Sequence, residues 1–264
     1  MSTDYHTHTP LCHHAEGSPE QYIAAAHAAG LKEYGISDHA PQIPEPFDDW
    51  RMAMADLPAY LDWIEEARQC AGQELVVRAG LECDWFQDCQ AHIDNLRDIH
   101  DWDYLIGSVH YLPTNSGKGW DFDNPAHLSQ WSSLSSNQLE EIWENYWRTY
   151  TEMVKADLFE IHGHPDLIKK FAFAPEGELN RFYEPTIEAL VSTGKAFEIN
   201  TAGYHKPCAE QYPACGFLQL AADALIPVYI NSDAHAPCEV ARDFKKATDL
   251  AQQLGLNVKH RLQE

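Results

Sequence analysis

Residues 4–40 read DYHTHTPLCHHAEGSPEQYIAAAHAAGLKEYGISDHA, a β–α–β unit in which each strand runs into a polar cluster. The run at 4–7 is short, with side chains alternating to opposite faces, and predicts a strand. Ser18-Pro19-Glu20-Gln21 supplies an N-cap, a proline at the first helical position and a capping-box glutamine. The helix it opens is expected over 19–29, with Gly30 closing it before a second strand at 33–37. Outward from this unit the alternation continues. Strands are expected at 75–81, 104–109, 158–161, 196–200 and 227–231. Helices are expected near 56–71, 88–99, 137–156, 180–193, 216–224 and 238–254, with Gly194 ending the fifth. Repeated β-then-α units predict a parallel sheet with helices outside it. Seven of them suit an α/β fold of the distorted (β/α)7 barrel type rather than a small open sheet.

The bulk composition agrees. A length of 264 residues fits one large barrel domain, 1–264, and an apolar fraction of 44% is enough for its core. With 41 acidic against 18 basic residues the net charge is −23, which argues against nucleic acid as a partner. A small phosphate ester is still admissible, because bound divalent ions would dominate the local field. The N-terminus lacks a basic run followed by an apolar one, and no window approaches the roughly 18–20 apolar residues of a spanning helix. Seven cysteines without a CxxC pair read as reduced thiols, so a cytoplasmic protein with no membrane partner is expected. Nothing in the pattern specifies an oligomeric state.

The histidines carry the functional signal. The first strand ends in His6-Thr7-His8, with His13 and His14 shortly after, and the second in Ser37-Asp38-His39. The third reaches Glu82, the fourth His110, the fifth His162-Gly163-His164, and the seventh Asp233-Ala234-His235. Strand C-termini of a parallel barrel share one rim, where active sites are built. Residues distant in sequence therefore converge. In His6/His8 and Asp233/His235 the i, i+2 spacing sends both side chains of each pair to one side. Imidazoles and carboxylates without thiolates suit Zn, Mn or Fe. Glu82 is the strand-end glutamate able to bridge two ions, an arrangement that serves hydrolysis at phosphorus. Spacing alone leaves open the choices between His13 and His14 and between His162 and His164. Histidines 27, 92, 100, 127 and 260 fall in helices, loop or terminus and are weak candidates. The segment 113–134 is read as a long loop, with Trp120 and Trp131 exposed and free to cap the site or meet another subunit.

These motifs resemble the PHP (polymerase and histidinol phosphatase) superfamily, and within it the histidinol phosphatases. The matching runs are HTHTPLCHHA at 6–15, SDHAP at 37–41, GLECDW at 80–85 and GSVHYL at 107–112. WDFDNP at 120–125, GHPDLIKKF at 163–171, EINTAG at 198–203 and NSDAH at 231–235 complete the series. The resemblance implies two to three divalent metal ions. One would be held by His6, His8, Glu82 and Asp233, a second by Glu82, His110 and His164, and a third by His14, His39 and His235. It also implies direct hydrolysis of a small phosphomonoester, L-histidinol phosphate, by a metal-bridging hydroxide. The catalytic residues would be Glu82, Asp233, His235 and Asp38, with Asp38, His235 or a metal-bound water considered for the general acid.

One position departs from the family pattern. Where it carries an arginine near the substrate phosphate, this chain has His205, followed by Lys206. Histidine lacks the bidentate fork of arginine, so His205, Lys206 and Lys170, with Lys169 nearby, become the expected phosphate-binding residues. Competing readings are a phosphoesterase for nucleotides or sugar phosphates, an amidohydrolase, and a non-catalytic metal-binding module. An amidohydrolase often has a bridging lysine where this chain has His110, and a degenerate module would have lost ligands.

Overall fold

The computed structural model describes residues 2–114 and 119–262. Its elements in chain order begin with β1 (Ser2–Asp4), α1 (Pro19–Ala28), β2 (Leu31–Ile36), α2 (Leu57–Ala71) and β3 (Val76–Asp84). They continue with α3 (Gln90–Ile99), β4 (Tyr104–Ser108), β5 (Tyr111–Leu112), β6 (Trp120–Asp121), α4 (Leu128–Ser132) and α5 (Ser136–Lys155). The remainder is β7 (Ile161–His162), α6 (Asn180–Thr193), β8 (Ala196–Asn200), α7 (Cys215–Asp223), β9 (Pro227–Asn231), α8 (Phe244–Leu254) and β10 (Asn257–Val258). The capping box forms as expected: Gln21 N donates to Ser18 Oγ at 3.4 Å and Ser18 N to Gln21 Oε1 at 2.9 Å. Gly194 ends α6 in the left-handed conformation that a Cβ disfavours.

The strands form one parallel sheet in the order β1-β2-β3-β4-β7-β8-β9-β10. It curls towards a barrel. Beyond β1 the chain pairs with the segment following β9, through a parallel bridge between Thr7 and Ala234 and a bond from His8 N to Ala234 O at 2.9 Å. Between β1 and that bridge the link passes through a side chain, Tyr5 N donating to Asn231 Oδ1 at 2.8 Å. The result is the distorted barrel expected from the repeats, with one more strand than they indicated. β10 has only two residues, too short to show a period, and hydrogen-bonds beside the start of β9.

Three other local expectations shift. β7 is shorter than 158–161, because the Glu160 carboxylate takes Leu105 N at 2.8 Å in place of a backbone partner. The last helix begins at Phe244 rather than 238, since Ala241 and Asp243 have φ of 54° and 60° and interrupt the helical path. The segment 113–134 contains β6, which pairs antiparallel with β5, and α4. Its tryptophans are not exposed as expected. Trp131 is buried, donates Nε1 to Phe122 O at 2.8 Å and stacks on Phe173 at 5.7 Å, while Trp120 is half-buried at 5.1 Å from it. Burying the Trp131 indole with its N–H satisfied is worth more than leaving it in water.

The main core lies between sheet and helices and contains Tyr60, Ile64, Leu81, Trp143, Tyr150 and Phe217. A smaller cluster plugs the barrel. Tyr5 meets Tyr104 and Tyr229 edge-on at 5.6 and 5.3 Å, and Tyr104 Oη donates to Tyr5 O at 2.5 Å. Tyr104 crosses the interior because Gly35 and Gly80 have no Cβ to collide with it. Tyr104 opens β4 and Ser108 ends it, so this aromatic floor lies below the polar cluster that Ser108 touches.

Candidate metal centre

Glu82 stands at the centre of that cluster, inside β3 and 1% exposed. Its Oε1 lies 3.4 Å from His6 Nε2, 3.6 Å from His110 Nε2 and 2.8 Å from His164 Nε2. Its Oε2 faces a different pair, 3.8 Å from His8 Nε2 and 2.7 Å from His39 Nδ1. Asp233 closes the group from the loop after β9, its Oδ1 at 3.1 Å from His8 Nε2 and 3.8 Å from His6 Nε2. His14 completes it on the cavity side: its ring centroid is 4.6 Å from that of His235 and 5.3 Å from that of His39. All nine expected ligand side chains converge here.

The residues fit divalent cations on their own geometry. His6 Nε2, His39 Nδ1 and Glu82 Oε2 are buried and have no hydrogen-bond partner among the described residues. His39 Nδ1 and Glu82 Oε2 are close enough to bond, yet their angles do not make a hydrogen bond. Leaving such a group unsatisfied costs about 1–3 kcal/mol each, and a cation among them removes that cost. Sets such as His6/His8/Glu82, His6/His164/Asp233 and His8/His39/His235 bring their ligand atoms within 4.8 Å of one another.

A second layer of carboxylates orients the imidazoles. Glu198 Oε1 lies 3.0 Å from His6 Nδ1 and accepts from His164 N at 2.8 Å. Asn200 Nδ2 and Asn231 Nδ2 donate to the same carboxylate at 2.9 and 2.7 Å. Asp84 Oδ1 is 3.0 Å from His110 Nδ1, and its Oδ2 accepts from the buried Arg51 Nη2 at 2.8 Å. With a carboxylate at one ring nitrogen, the other is left aimed where a metal would sit. Glu198 and Asp84 escaped the sequence reading. Their signal was the same i, i+2 pattern, Glu198/Asn200 and Glu82/Asp84, that marked the ligand pairs.

The electrostatics divide the histidines. Burial disfavours charge on His8 and His110, but the Asp233 and Asp38 carboxylates beside the first, and Asp84 and Glu82 beside the second, raise each to about 9. His6 is raised likewise, burial being outweighed by Glu198, Glu82 and Asp233. For His39 and His235 burial prevails, reinforced by the neighbouring charge on His8, and both are held well below the usual imidazole value. Burial opposes ionisation of Glu82 and Asp233 too, yet the surrounding imidazoles keep both well below the ordinary carboxylate range.

A cavity of about 510 Å³ opens onto this centre. His14, His110, His164 and His235 line it, together with Trp50 and the three cations Lys170, Lys206 and Arg242. The structure places the members of the two open pairs differently. His13 and His14 are both exposed, but His14 lines the cavity whereas His13 lies outside it, with Nδ1 at 3.1 Å from Asp49 O. His164 reaches Glu82 whereas His162 is buried elsewhere, with Nδ1 at 3.0 Å from Ala196 O.

Three expectations are corrected. Asp38 is fully buried, is absent from the cavity wall, and its carboxylate is taken by His8 Nδ1 at 3.2 Å, His39 N at 2.8 Å and Thr9 Oγ1, which places it as a support of His8. Lys169 is consumed by Glu210 and Gln211 O, both at 2.8 Å. His205 is absent from the cavity wall and is held by Asp243, Nε2 to Oδ2 at 2.6 Å, because the turn at 201–205 carries its ring outward. Lys206 and Lys170 do reach the cavity, the latter paired with Asp123 at 2.9 Å.

The chain belongs to the PHP domain family, whose pattern matches residues 4–202. More particularly, it is 36% identical over 96% of its length, and 93% of the relative's, to a Deinococcus radiodurans protein named "probable histidinol-phosphatase". Its fold matches that of a Listeria monocytogenes crystal structure described as a "putative histidinol phosphatase", with a TM-score of 0.83 at 23% identity over 93% of this chain and 99% of that one. The histidinol phosphate phosphatase of Lactococcus lactis, solved with zinc, L-histidinol and phosphate, has a TM-score of 0.72 at 20% identity, covering 97% and 95% of the two chains.

Proposed function

We propose that this chain, acting as one domain over residues 1–264, is a histidinol-phosphatase: a metal-dependent phosphomonoesterase converting L-histidinol phosphate to L-histidinol and phosphate. The observation that carries the reading is Glu82, whose two oxygens face separate histidine groups with no hydrogen bond on Oε2. That placement suits two neighbouring cations sharing one carboxylate, with His14, His39 and His235 available to a third. The name of the Deinococcus relative and the ligands of the Lactococcus enzyme support the substrate, and the latter supports zinc among Zn, Mn and Fe.

Bound ions supply a water of lowered pKa and neutralise charge developing on the phosphoryl oxygens. The protein's own residues do the rest. Glu198, Asp38 and Asp84 fix the tautomer and direction of His6, His8 and His110. Asp233 and His235 reach the cavity and would hold ions there; both are kept deprotonated, so the proton for the leaving alcohol would come from water. Lys206 and Lys170 add positive charge where a phosphate would lie, and Asp49 on the same wall suits a substrate that also carries an ammonium. The cavity's size matches a small phosphomonoester rather than a polymer. No helix among the described residues is long and apolar enough to cross a membrane. The seven cysteines are all free thiols, which suits a cytoplasmic enzyme.

A metal-reconstituted turnover assay with histidinol phosphate against nucleotide and sugar monophosphates tests the reading. Histidinol phosphate should give the highest kcat/KM. Another substrate preferred by a hundredfold, about 2.7 kcal/mol of transition-state stabilisation, would overturn it.

A further inference from the structure

His205 has left the phosphate pocket, but a guanidinium stands there. We propose that Arg242, in the turn between β9 and α8, binds the phosphoryl oxygens of the substrate. This rests on the phosphomonoesterase reading above.

Arg242 lines the cavity beside His235, His14 and Lys206. Its Nη1 donates to Glu239 Oε1 at 3.0 Å, and Glu239 Oε2 accepts from His235 N at 2.9 Å. One carboxylate therefore ties the guanidinium to the backbone of a candidate metal ligand. Only one edge of the group is used. Nε and Nη2 have no hydrogen-bond partner among the described residues. Those two N–H groups form the side-on fork that grips two oxygens of a phosphoryl group in one plane.

The backbone is arranged to keep the side chain there. Ala241 and Asp243, flanking Arg242, are non-glycine residues at φ 54° and 60°, a region that L side chains avoid. Strained conformations of this kind persist where surrounding contacts over-determine them, often at ligand clamps. Both contacts are visible here. Ala241 N donates to Asp4 Oδ2 at 3.1 Å, and Asp243 Oδ2 lies 2.6 Å from His205 Nε2. His205 thus serves as a pin: it holds the residue next to the arginine instead of meeting the phosphate itself. The other cavity cations cannot replace the fork. Lys170 is engaged by Asp123 at 2.9 Å, and Lys206 is an exposed point charge.

The test uses the full chain reconstituted with zinc and inorganic phosphate as the probe, read by calorimetry, with metal stoichiometry and melting temperature measured in parallel. Arg242→Gln should weaken phosphate binding about tenfold or more, as expected on losing a bidentate charged pair. It should raise KM for a phosphomonoester more than it lowers kcat, with metal content unchanged. Arg242→Lys keeps the charge without the fork and should fall between the two. A phosphate Kd within twofold of the parent in both variants would overturn the proposal. So would weakened phosphate binding accompanied, in both variants, by lost metal, which would make the role structural. Failure of the unaltered protein to turn over histidinol phosphate would instead count against the reading above, since inorganic phosphate binding does not depend on the alcohol.

Discussion

Glu82 Oε2 and His39 Nδ1 stand 2.7 Å apart, both buried, and make no hydrogen bond with each other or with any other described residue. An acceptor and a ring nitrogen brought together without a usable proton geometry leave each atom open to a cation.

Replacing Glu82 with glutamine keeps the shape and removes the charge. The amide is a poor bridge, so metal content should drop by at least one equivalent per chain. Turnover should fall on the order of 10²–10³-fold or more. Near-normal turnover with full metal by elemental analysis would show the bridging role to be wrong.

Glu198 touches no expected substrate, yet it holds His6 Nδ1 at 3.0 Å and His164 N at 2.8 Å. Glu198→Ala frees both and should reduce metal affinity by about 10–100-fold. A competition titration with a chromophoric chelator measures this, and an unchanged affinity would exclude the orienting role.

Metal binding should depend on pH in a direction set by His8 and His110. In the metal-free protein each is raised to about 9, so at neutral pH both carry protons that a cation must displace. Affinity should therefore climb as pH rises towards 9, with proton release seen by calorimetry in buffers of different ionisation enthalpy. Folding of the metal-free protein should show the opposite trend. The raised values add stability that is fully present below the unfolded imidazole pKa and lost as pH rises through about 9. Equal affinities at pH 6.5 and 9 would contradict the assignment.

Gly35 is needed for the aromatic floor. A Cβ there would collide with the Tyr104 hydroxyl and lie 2.8 Å from Tyr5 Cα. Gly35→Ala should cost about 1–3 kcal/mol by overpacking. A melting temperature equal to that of the parent would mean that Tyr104 moves freely, contrary to its bond to Tyr5 O.

Much of this protein could be read along the chain. The Ser18 cap, the Gly194 stop and the alternation of strand and helix are local, because a period of two or a cap is set by residues a few positions apart. Polar residues recur at strand ends for the same reason, and so six strands announced a common rim. β10 was illegible because two residues carry no period. The burial of Trp131 was illegible because it depends on Phe173, far along the chain.

The sequence by itself determined the barrel class and the nine side chains that gather at its mouth. Only the tertiary structure decided their supporting roles. Glu198 finds His6 across 192 positions, Arg51 finds Asp84, and Asp38 turns from a candidate acid into the support of His8. His205 and Arg242 show the reason most plainly. Position in a motif marked the histidine, but the direction of a side chain is set by the backbone turn that carries it and the partner that holds it. Here a left-handed turn and the carboxylates of Asp243 and Glu239 send the histidine outward and bring the arginine to the cavity.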